Sequence, residues 1–184
     1  MGKKDKRDLI WLSAILGTLG LAVFGLPVIS LLFPQGHKSP DSEVLGIGLA
    51  SAVENYYWEY NRLPEVDGKK VETSSSAGIK LLEILLALET QDAQTQNSRS
   101  IVFFQAPEAK GGRGGIEYVG NDSVGGLYDS FGNPFTVVMN TGFVDTLEFE
   151  WGGKPVRLRG KQVAVMSVGK DGVEGTKDDV KTWE

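Results

Sequence analysis

From Leu9 to Phe33 the chain carries no charged side chain, and this run limits the possible folds more than any other feature. At about 1.5 Å of rise per residue, a helix of this length reaches roughly 37 Å, more than the roughly 30 Å of a bilayer's hydrocarbon core. The run therefore predicts a membrane-spanning helix over residues 9–33, bent at Pro27 where a backbone hydrogen bond is lost. The flank 1–8 holds Lys3, Lys4, Lys6 and Arg7 against Asp5 and Asp8, whereas the segment 34–40 holds only Lys38. Basic residues stay on the cytoplasmic side. The expectation is a single-pass inner-membrane protein with a cytoplasmic N-terminus and a periplasmic or extracellular C-terminal part. A cleaved signal peptide fits less well. Its apolar stretch covers roughly 7–15 residues and ends in a small-x-small site, and Leu32-Phe33-Pro34-Gln35-Gly36 offers no such site.

Beyond the linker 34–40, residues 41–184 are expected to form one domain, because 184 residues of which 41% are hydrophobic supply one modest core. The chain has no cysteine, which excludes disulfides and thiolate metal sites. His37 is the single histidine and falls in the linker. Ser-His-Asp, Cys-His and histidine-ligated zinc chemistry therefore all fail, and no apolar pocket signal supports a carboxylate pair, so no enzyme is expected. The whole chain has 19 basic and 24 acidic residues; without the four bases and two acids of the flank, 15 and 22 remain, about −7. An acidic exterior argues against nucleic acid as a partner and is compatible with a bound cation.

Ser39 as N-cap, Pro40 at the first helical position, and Asp41 and Glu43 in the first turn predict a helix over 41–60. Leu45, Leu49, Ala52, Val53, Tyr56 and Tyr60 recur on one face. The aromatic stripe Tyr56, Tyr57, Trp58 and Tyr60 is expected to pack on a sheet, and Asn61-Arg62-Leu63-Pro64 ends the helix. A second helix is expected over 79–89. Gly111-Gly112-Arg113-Gly114-Gly115 lacks the lysine and hydroxyl residue of a phosphate cradle and reads as a flexible loop. Short runs over 101–105, 116–119, 135–140, 144–149, 156–158 and 162–167 read as strands of a small antiparallel sheet, with Asp129-Ser130-Phe131-Gly132-Asn133-Pro134 as the clearest turn. The expected fold is α+β.

The segment 167–180 places Asp171, Glu174, Asp178 and Asp179 among Gly169, Gly172 and Gly175. A hard cation such as Ca²⁺ takes six to eight carboxylate and carbonyl oxygens, and such a loop can supply both kinds. The adjacent Asp178 and Asp179 repel unless a cation, a helix N-terminus or solvent relieves them. The loop is not an EF-hand, since Val173 stands where that motif needs an oxygen ligand. Spacing alone leaves a metal site and a solvated acidic turn equally open.

Three separated stretches resemble one family. S-V-G-K-D-G-V-E-G-T-K-D-D-V-K-T-W, residues 167–183, is similar without a gap to the S-x-G-x-D-G-x-x-G-T-x-D-D-I-x-x-W ending of the major pseudopilins of the type II secretion system. D-S-F-G-N-P-F, residues 129–135, resembles their D-P-W-G-N-P-Y, and A-V-E-N-Y-Y-W-E-Y-N-R-L-P, residues 52–64, resembles their A-L-x-x-Y-x-x-D-N-x-R-Y-P. The resemblance implies a pilin-like fold of helices on an antiparallel sheet. It also implies a calcium site formed by the backbone oxygens of Val168 and Thr176 with the carboxylates of Asp171, Asp178 and Asp179. As partners it implies subunits of its own kind, other pseudopilins and secretion components, in a filament that supports protein export. The pattern departs at the N-terminus, where Gly2 precedes Lys3 and no Gly-Phe precedes the span, and Pro34 and Pro40 interrupt what the family builds as one long helix. The alternative is a membrane-tethered pilin-like calcium-binding module that does not polymerise.

Overall fold

The computed structural model describes residues 42–184 apart from 91, 93, 121 and 122. The span expected over 9–33, its flank and the linker lie outside the described residues, among which no helix is long and apolar enough to cross a membrane. The expected Ser39-Pro40-Asp41 helix start also falls outside them.

The fold is α+β: α1 (Ser42–Tyr60), β1 (Lys70–Glu72), α2 (Ser76–Leu86), then β2 (Gly115–Tyr118), β3 (Val124–Tyr128), β4 (Thr136–Met139), β5 (Thr146–Trp151), β6 (Lys154–Arg159), β7 (Val163–Ser167) and β8 (Val180–Lys181). In α1 the three- and four-residue spacing buries Leu45, Leu49, Ala52, Val53 and Tyr56. Trp58 corrects the expected stripe: it is 80% exposed, because two residues along a helix turn the side chain roughly 200° away from Tyr56. Asn61, with φ +52, takes the left-handed conformation that stops α1 ahead of Pro64. Ser75 starts α2 earlier than expected by accepting from Gly78 N (3.1 Å), and Ala87, left-handed at φ 59, ends it.

The expected strand over 101–105 does not form. Phe103 N and Phe104 N instead donate to Leu85 O (2.8 and 3.1 Å), satisfying one of the carbonyls that the end of α2 leaves without an intrahelical partner. The single expected sheet is three: a four-stranded antiparallel sheet in the order β1-β4-β7-β8 and the two hairpins β2-β3 and β5-β6. β4 and β7 are buried along their whole length. Alternation sends Val137, Met139, Val163 and Val165 into the main core with α1 and α2, while Val138, Ala164 and Met166 meet Leu147 and Trp151 of the β5-β6 hairpin. The sheet is thus covered by helix on one face and hairpin on the other.

Candidate metal centre

Ser167 at the end of β7 and Val180 at the start of β8 are register partners, so the intervening residues must leave and return at neighbouring points. Glycine makes this return possible. Gly169 has φ +64, and a Cβ there would stand 2.2 Å from Asp178 O, so the two arms of the loop touch backbone to backbone.

Within that closure the carboxylates converge. Asp178 Oδ2 accepts from Lys170 N (2.6 Å) and Asp171 N (3.0 Å), and its Oδ1 accepts from Thr176 Oγ1 (2.7 Å). The Thr176 hydroxyl first, and then the backbone N–H of Asp171, lower the Asp178 carboxyl to about 2, so it is ionised at any physiological pH. Asp179 Oδ2 accepts from Gly175 N (2.8 Å) and from Trp151 Nε1 (2.6 Å), while its Oδ1 lies 3.1 Å from the same Thr176 Oγ1. One hydroxyl carries one hydrogen, so it serves either carboxylate at a time. Both adjacent aspartates therefore reach a common point, which spacing alone left undecided.

Of the five residues expected to bind a cation, Asp178 and Asp179 come together at Thr176, through its hydroxyl and not through the backbone oxygen that the resemblance implies. Asp171 joins them through its backbone N–H, and its Oδ1 accepts from Val173 N at 2.9 Å. Val168 stands at the root of the loop, partly buried beside the small hairpin-side cluster. Among the described residues, no three acidic or histidine side chains form a metal-holding group. Beside the loop, Glu43, Asp178, Asp179 and Glu184 line an open cleft of about 320 Å³ together with Lys181, a surface whose field attracts cations.

The root of the loop is fixed by residues that the spacing did not mark as a site. Asp129, fully buried, accepts from Phe131 N and Asn133 N (both 2.8 Å) and from Ser167 Oγ (2.5 Å). Asn133 Nδ2 in turn donates to Gly169 O (2.5 Å). The 129–134 turn was legible as a turn; its grip on the loop was not, because the Ser167–Asp129 contact spans 38 residues.

The side chains at this point offer oxygen alone, the chemistry of a hard divalent cation rather than of zinc or copper. A carboxylate has about four acceptor sites; two N–H groups occupy each of Asp178 and Asp179, and the one Thr176 hydrogen goes to either, so each retains acceptor capacity for a cation. The residues present fit Ca²⁺ in donor type.

No family model matches the chain, and neither does any curated protein or solved structure.

Proposed function

We propose that this chain is a structural, calcium-binding, pseudopilin-like component of a type II secretion or related filament system. Residues 9–33 anchor it in the inner membrane and its domain lies outside. Its partners are subunits of its own kind, other pseudopilins and secretion components; it neither catalyses a reaction nor binds nucleic acid. The observation that carries the reading is the meeting of Asp178 and Asp179 at Thr176, inside the loop whose residues resemble the family's terminal motif.

In this reading Asp171, Asp178, Asp179 and the carbonyls of Val168 and Thr176 hold Ca²⁺, which neutralises the paired carboxylates and ties the two arms of the loop together. The chain's own part is to keep Asp178 ionised and the aspartates assembled beforehand. Thr176 and the backbone N–H groups of residues 170 and 171 do this, and Asp129 secures the root.

The test is thermal unfolding of the purified full chain in calcium and in chelator. Calcium at about a hundred times its dissociation constant stabilises by about 2.7 kcal/mol. Asp178→Ala is expected to erase that difference, and a wild-type melting curve indifferent to chelation overturns the calcium reading. Cross-linking in native membranes tests assembly, with ladders of the chain or adducts to secretion components expected. The prolines at 34 and 40, a residue type that disfavours an uninterrupted helix, favour the second reading, a tethered module that does not polymerise. A cross-linked pattern of monomer alone selects it.

A further inference from the structure

The β5-β6 hairpin meets the acidic loop through contacts that nothing in the loop's own sequence announces. Trp151, the last residue of β5 and 4% exposed, donates its indole N–H to Asp179 Oδ2 at 2.6 Å. Its neighbour Gly152 lies against Gly175: a Cβ on Gly152 would stand 2.5 Å from Gly175 Cα, and one on Gly175 3.0 Å from Gly152 Cα. Both glycines have positive φ, +57 and +88. Gly152 N also donates to Glu174 Oε2 (3.2 Å), and Glu174 Oε1 meets Lys70 Nζ (3.6 Å). That same ammonium lies 5.3 Å from the Trp151 ring centroid. Hairpin tip, β1 and loop are thus joined at several independent points.

We propose that the hairpin tip is part of the cation site: Trp151 is a positioning residue for Asp179, and Gly152 seats the loop against it. The inference rests on the calcium reading above and goes beyond the loop to residues that no terminal motif contains. The indole N–H and Gly175 N–H both hold Oδ2 of Asp179, which leaves Oδ1 at Thr176 where Asp178 Oδ1 also arrives. Without the indole donor, Asp179 can rotate away from its like-charged neighbour, and each cation bound must then re-form the pair. Losing a group that orients a ligand side chain typically costs 10–100-fold in metal affinity.

Calcium titration by calorimetry on the full-length chain in detergent tests this. Trp151→Phe keeps a ring in the small cluster but removes the donor, and it is expected to weaken calcium about 10-fold. Gly152→Ala, which pushes the tip off Gly175, is expected to weaken it likewise, whereas the exposed Trp58→Phe leaves it unchanged. In unsubstituted ¹⁵N-labelled protein the Trp151 indole resonance should shift on saturation with calcium while that of Trp58 stays; this reading stands even if a variant fails to fold. Wild-type affinity in Trp151→Phe, or a Trp151 indole resonance unmoved by saturating calcium, overturns the proposal and leaves the calcium reading in place. A wild-type chain that takes up no calcium ends both.

Discussion

Two loops of this domain are organised by buried or converging polar side chains, and they solve the problem with opposite chemistry. Between α2 and β2, the Asn97 side chain, 1% exposed, donates to Ile84 O and Ile101 O (both 2.8 Å) and accepts from Tyr60 OH (2.8 Å) and Ile101 N (3.0 Å). Beside it, Gln96 exchanges two hydrogen bonds with the Glu65 backbone, both 2.8 Å. Between β7 and β8, Asp178 and Asp179 gather N–H and O–H donors from the loop around them and from Trp151. An amide offers donors and acceptors together, so the Asn97 and Gln96 side chains tie their loop to α1, α2 and Glu65 without adding charge, and the Glu89 carboxylate accepts from their backbone N–H groups (2.8 and 3.0 Å). A carboxylate only accepts, so the second loop stays negatively charged however many donors it collects. The Asn97 amide has all four of its hydrogen-bonding positions filled, while the paired aspartates keep a capacity that something positive can fill.

Removing each loop's organiser should therefore separate the two sharply. Asn97→Ala deletes four hydrogen bonds and strands buried partners, and at about 1 kcal/mol per bond it should cost about 3 to 4 kcal/mol in chemical denaturation. The loss should be equal in calcium and in chelator. If the cost depended on calcium, the two loops would be coupled and the contrast would fail.

A smaller effect is expected at the loop closure. Gly169→Ala must place a side chain at φ +64 against Asp178 O. Left-handed strain of this kind costs about 1 to 2 kcal/mol, and the same substitution should remove the calcium increment, because the arms can no longer touch. Denaturation with and without calcium checks both parts, and a calcium increment that persists in Gly169→Ala breaks the claim that arm contact is needed.

The finest distinction is in acid. The Asp178 carboxyl sits at about 2, below its ordinary 3.8, so its contribution to stability is whole above pH 3.8 and disappears as the pH falls towards 2. Thr176→Val removes the first cause of that lowering and should flatten this acid limb, measured as stability against pH in chelator. Asn97→Ala should leave the limb as steep as in the wild type. An unchanged slope in Thr176→Val would show that the hydroxyl does not hold Asp178 down.

What the sequence disclosed divides along the range of the interactions. The buried face of α1 was legible because Leu45, Leu49, Ala52, Val53 and Tyr56 follow a helical period, a local property. β4 and β7 were legible as continuous apolar runs, and the acidic loop as glycines spaced among aspartates. β3 was missed because Gly125-Gly126 interrupts its apolar pattern and looks like a turn. Residues 101–105 were read as a strand because apolar character does not reveal whether a backbone pairs with another strand or with the end of a helix. Trp151 was invisible as part of the site: its contact with Asp179 spans 28 residues and leaves no periodic trace. Short-range chemistry is written in spacing, whereas convergence at a site depends on how the sheet brings distant segments together.

The packing of α1 against β7 and β8 joins the first described element to the last two. Measured as folding speed, this is a costly layout, since closing so long a stretch of chain precedes any reward from the contact, and domains rich in such pairings fold in milliseconds to seconds. Until β7 and β8 are made, Leu49 and Val53 have no sheet to cover them. The newly synthesised domain therefore passes through a period with an uncovered helix face, during which aggregation and chaperone capture compete with folding.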